Sequence, residues 1–84
     1  MPLDPNQIAF AKDLLRSMRN HYEPTDAPSS TARRDMALEI IHLIESRAPE
    51  SELWTSSPDA TEVTSESRLG DHLYITRKHF GLTA

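Results

Sequence analysis

The sequence predicts an all-α domain: an antiparallel hairpin of two helices, over about 5–22 and 31–48, with the C-terminal third of the chain packed across it. Three observations carry this expectation. Apolar residues recur at steps of three and four over 8–22 and again over 36–48. Capping or helix-breaking residues bound both stretches, Asp4-Pro5 and Pro24 for the first, Ser30-Thr31 and Pro49 for the second. The 84 residues make one small domain, 1–84.

Asp4 is the candidate N-cap of the first helix, with Pro5 at the first helical position, where its missing N–H does no harm. Gln7 stands where a capping-box partner belongs, and Leu3 and Ile8 are spaced for a hydrophobic staple across the cap. Ile8, Ala11, Leu15, Met18 and Tyr22 then form one apolar stripe, widened by Phe10 and Leu14. Pro24 disfavours helical geometry at Glu23 and sets the end near Tyr22.

Prolines and small polar residues make 23–30 a connecting loop. The second helix carries two adjacent apolar rows: Met36, Ile40 and Leu43, and Ala37, Ile41, Ile44 and Ala48. At ~100° per residue they cover roughly 160° of the circumference. Each hairpin helix therefore has an apolar face broader than one partner helix covers. Leu, Ile, Val and Phe make up only 17 of the 84 residues, near the level at which composition begins to favour partial disorder. The C-terminal third, a second copy of the chain, or a target must cover what is left. A homodimer that pairs two hairpins into four helices is one such expectation.

Residues 50–67 change character: eight are Ser or Thr, five are acidic and none is basic. The plain account is a solvated connection over 50–57 and beyond, anchored by Trp54. The functional account is an acidic recognition segment. The tail reverses sign, with three basic residues and one acidic over 68–84. Caps at Ser57-Pro58-Asp59, Gly70, Asp71 and Gly81 predict two short helices, 58–69 and 72–80. Leu53, Trp54, Leu69, Leu73 and Phe80 would seat them on the hairpin. The alternative is an α+β fold with a C-terminal β-hairpin, because 72–76 also alternates like a strand.

A net charge of −4 and a pI near 5.4 argue against bulk electrostatic binding to nucleic acid or to an anionic membrane. The absence of cysteine excludes a disulfide framework or a thiolate metal site and fits a cytoplasmic home. The longest apolar runs are pairs such as Leu14-Leu15, too short for a membrane span or a signal-peptide core. With only Gly70 and Gly81 there is no phosphate-cradling loop, and no nucleophile motif is present, so no catalytic residue and no cofactor are assigned. Glu39 and His42 have the spacing of a di-metal bundle ligand pair, but the second such pair is missing and both lie on the polar side of their helix. No metal is expected. His21, His72 and His79 form no chelating pair at close spacing.

The favoured function is a non-enzymatic protein-binding module, a small acidic adaptor or inhibitor that occupies a basic surface of its partner. Glu50, Glu52, Trp54, Asp59, Glu62 and Glu66 are the candidate contacts, since segregated charge steers and orients association. The alternative is a small helix-turn-helix-like DNA-binding regulator using 58–80, with Thr76, Arg77 and Lys78 on its second helix and Arg33 and Arg34 adding phosphate contacts. Basic residues in a last turn also complement the helix dipole without any nucleic acid. No residue pattern here is diagnostic of a family.

Overall fold

The computed structural model describes residues 2–22, 30–54, 63–64 and 66–82, with the side chains of Ser30 and Trp54 outside that description. The described residues form four helices and no strand: α1 (Pro5–His21), α2 (Ser30–Arg47), α3 (Glu50–Trp54) and α4 (Leu69–His79).

α1 begins as its sequence dictates. The Asp4 carboxylate accepts the Gln7 N–H at 2.8 Å, and the Gln7 side-chain oxygen accepts the Asp4 N–H at 2.9 Å. Two of the N–H groups that a helix start leaves unpaired are thereby satisfied. The helix stops at Tyr22, which turns extended while its N–H still bonds the Met18 carbonyl. Ala11, Leu15 and Met18 are buried.

α2 lies antiparallel to α1. The Leu3 N–H donates to the Arg47 carbonyl at 2.9 Å at one end, and the Arg33 guanidinium lies 5.3 Å above the Tyr22 ring centre at the other. Its two apolar rows fare differently. Ala37, Ile41 and Ile44 are buried, whereas Met36 and Leu43 face solvent.

The C-terminal third departs from expectation in two places. Residues 50–54, read as part of a solvated connection, form the short helix α3. The Ser and Thr residues concentrate after position 54, while Glu50 and Glu52 in the first turn suit the positive end of a helix. The second departure is the predicted helix 58–69. Residues 58–62 and 65 lie outside the described residues, but 63, 64 and 66–68 are not helical. Thr64 and Ser67 explain why. Ser67 Oγ accepts the Thr64 N–H at 2.9 Å, the Thr64 carbonyl accepts the Ser67 N–H at 3.0 Å, and Thr64 Oγ1 accepts the Glu66 N–H at 3.2 Å. Side chains that satisfy the local backbone in this way compete with a helix ladder.

α4 therefore starts at Leu69, with Gly70 and Asp71 inside its first turn rather than marking a break. It ends where Gly81 predicts. Gly81 adopts φ +67°, the Leu82 N–H bonds the Arg77 carbonyl at 2.8 Å, and the Gly81 N–H bonds the Lys78 carbonyl at 3.1 Å. That is a Schellman stop, which needs a left-handed residue at this place. The β-hairpin alternative is not adopted, since 72–76 is α-helical.

α4 packs mainly on α1 and also touches α2 and α3. Leu69, Leu73 and Phe80 join Leu15 and Ile41 at the centre of the core, and Leu53 is partly buried against it. No described helix is long and apolar enough to cross a membrane.

Candidate functional site

The open side of the hairpin is the feature that the core leaves unfinished. Phe10 is 69% exposed, Leu43 56% and Met36 39%. Phe10 stands on the flank of α1 and Leu43 on the flank of α2. Between them runs an open groove of about 270 Å³, whose walls include Leu3, Gln7, Phe10, Leu14, Leu43 and Arg47. The cause lies in α2. Its apolar arc is wide, α1 and α4 cover the Ala37–Ile41–Ile44 side, and the Met36–Leu43 side is left over. Phe10 and Leu43 thus share one groove, and exposed apolar side chains gathered in this way on a small protein commonly mark a binding face.

The acidic candidates are distributed more loosely. Glu50 and Glu66 are exposed. Glu52 is engaged by Arg68, whose Nη1 lies 3.4 Å from its Oε1. That contact ties α3 to Arg68, directly after the turn at 64–67 that carries Glu66. Asp59 and Glu62 lie outside the described residues, as does the Trp54 side chain.

Of the basic candidates, Arg33 lies at the opposite end of the hairpin, beside Tyr22. Arg33 stacks on the Tyr22 ring, and the Tyr22 carbonyl accepts a hydrogen bond from His79 Nε2 at 2.7 Å. Arg34 and Lys78, next in sequence to Arg33 and His79, are exposed. Arg77 turns away and pairs with Glu45 of α2, and its partial burial lowers its pKa. Thr76 is fully buried and its hydroxyl accepts from Arg19 Nη1 at 2.6 Å, so it offers nothing to an external phosphate.

Sequence reasoning missed the polar cluster to which Thr76 belongs. Arg19 reaches from α1 to α4, donating to Thr76 Oγ1 and, at 3.5 Å, to the His72 carbonyl. His72 is fully buried. Its Nε2 donates to the Thr64 carbonyl at 3.1 Å, which fixes the tautomer and leaves Nδ1 to accept from Arg19 Nη2 at 3.5 Å. Burial lowers the His72 pKa, the nearby cations of Arg19, Arg16 and Lys12 push the same way, and the bond to Thr64 opposes them. Arg19 is itself lowered by burial and by Arg16. With both ring nitrogens engaged and no solvent access, His72 is a clasp between α4, α1 and the 64–67 turn rather than a proton carrier for chemistry. One signal was available: at ~100° per residue, Arg19 falls about 20° round the helix from Ile8, at the edge of the apolar stripe.

Glu39 and His42 are exposed on the outer face of α2, and the described residues contain no cluster of three His, Cys, Asp or Glu able to hold a metal ion. Comparison with known proteins finds no matching family model, no matching curated protein and no matching solved structure.

Proposed function

We propose that this chain is a non-enzymatic protein-binding module, a small adaptor or inhibitor that works by occupying a partner's surface. The observation that carries the reading is the uncovered apolar face of Phe10, Leu43 and Met36 in a chain whose internal core is thin. Burying a side chain such as Phe10 or Leu43 against a partner contributes about 1.5–3 kcal/mol each before ordering costs. Glu50, Glu52 and Glu66 would meet a basic rim on that partner and set orientation and on-rate. A cytoplasmic setting fits a chain without cysteine.

The test is capture of partners by the tagged protein in its native host, with and without nuclease, beside a Phe10→Asp variant. A protein partner that survives nuclease and is lost with Phe10→Asp supports the reading. Capture indifferent to Phe10→Asp removes it. Phe10 is exposed, so this variant keeps the fold.

One observation favours a second reading, DNA binding. Arg33 and His79 both contact Tyr22, so the C-termini of α1 and α4 and the N-terminus of α2 meet there, with Arg34 and Lys78 next in sequence to them. Recovery of nucleic acid, with loss of binding in Arg34→Ala and Lys78→Ala, would put this reading first.

A further inference from the structure

Building on the apolar face as a docking surface, we infer that while no partner holds this face its occupant is a second copy of this chain, laid antiparallel along α2 with a two-fold axis passing beside Leu43. Met36, Ile40, Leu43 and Arg47 follow one another at steps of four, three and four, the spacing of a helix–helix seam. Ile40 is partly buried against its own core, and the other three are exposed. The seam is thus open to a further helix.

Charge order on the same flank selects which helix that is. Glu39, Leu43 and Arg47 stand four residues apart on α2, so a negative and a positive group bracket the exposed leucine symmetrically. Both charged side chains are exposed, and neither forms an ion pair among the described residues. They are about 12 Å apart along the helix, too far to pair with each other. A parallel mate would oppose Glu39 to Glu39 and Arg47 to Arg47. A two-fold axis at Leu43 reverses the order, so that each Glu39 meets Arg47 of the other copy and leucine meets leucine. A surface carrying its own complement in this way suits an isologous contact. Phe10, on the same open side, would extend the contact over α1, giving a four-helix arrangement of two hairpins.

Sedimentation velocity of the full chain at tens of micromolar tests this directly. The wild type should sediment at twice the 9.5 kDa chain mass. Leu43→Asp should sediment as a monomer with unchanged helical circular dichroism. Glu39→Arg and Arg47→Glu alone should each raise the dissociation constant on the order of tenfold or more. Mixing these two variants should restore the dimer, because one copy then carries only positive and the other only negative charge at the two positions. A monomeric wild type, a dimer untouched by Leu43→Asp, or single reversals without effect would each overturn the inference. The broader reading fails separately: a monomer whose partner capture still depends on Phe10 refutes the dimer alone, whereas a dimer as described with capture indifferent to Phe10 refutes the protein-binding function alone.

Discussion

Replacing Thr76 by Val removes one atom from the clasp between α1 and α4 and leaves its shape almost unchanged. Val is isosteric with Thr and has a similar helix propensity, so neither packing nor α4 itself is disturbed. What disappears is the acceptor for Arg19 Nη1, which lies 2.6 Å from the hydroxyl. Among the described residues the guanidinium then keeps only its contacts with His72, both at 3.5 Å. A hydrogen bond to a charged donor contributes about 1.5–3 kcal/mol, and the partly buried position of Arg19 makes the lower half of that range, about 2 kcal/mol, the expected loss. For a chain of this size each kcal/mol moves the midpoint by roughly 4–8 °C, so Tm should fall by about 8–16 °C. Urea titration followed at 222 nm gives the free energy and thermal melting the midpoint. Combining Thr76→Val with Arg19→Met supplies the control, since removing donor and acceptor together leaves no stranded charge. The double variant should lose less than the sum of the single losses. A Thr76→Val midpoint equal to wild type, or strict additivity in the cycle, would refute the assignment of the Arg19 bond as a stabilising link.

Three further expectations can be checked with the same equipment or a binding partner. Stability should fall as pH drops from 7 to 5: the unfolded chain protonates His72 near pH 6.5, the folded chain holds its pKa lower, and so the unfolded state takes up more protons across that window. A pH-independent urea midpoint, or an equal decline in His72→Asn, would contradict this. Gly81→Ala should cost about 1 kcal/mol through backbone conformation alone, because φ is +67° and nothing lies within 4 Å of the added methyl; an unchanged melting curve would show that the Schellman stop is not needed. Neutralising Glu50, Glu52, Asp59, Glu62 and Glu66 with Gln or Asn should slow partner association at low salt by tenfold or more, on the order seen for steered encounters, and an unaltered on-rate in stopped-flow mixing would remove the electrostatic part of the proposed function.

The hairpin was legible because each of its helices is specified locally. Asp4, Pro5 and Gln7 write the start of α1 within four residues, and the spacing of Ala11, Leu15 and Met18 writes its buried face. Gly81 likewise announced the end of α4. The region before α4 was less readable, since its structure depends on which of several short polar side chains bonds the backbone. Thr64 and Ser67 close a turn on each other, a choice that composition does not reveal. Gly70 misled for a related reason: a glycine near an expected helix end reads as a stop, yet here it is the second residue of a helix that begins late. The acidic and basic candidates were visible as charges but not as contacts. Pairings such as Glu52 with Arg68 and Arg77 with Glu45 join residues far apart in sequence, and only the packed fold shows that they are already engaged.

The pairing of α1 with α4 also governs when the molecule can come into being. Arg19 finds Thr76 and Tyr22 finds His79 across separations of 57 residues, close to two thirds of the chain. Long-range contacts of this kind must close a large loop before they return any stabilisation, and folding slows accordingly. On the ribosome, at roughly 5–20 residues per second, the first helix waits several seconds for its main neighbour to be made. During that interval Leu15 and Met18 have at best α2 to rest against. The nascent hairpin is thus the state in which premature association, proteolysis or chaperone capture would act, and a ribosome stalled before Leu69 would hold the chain in it.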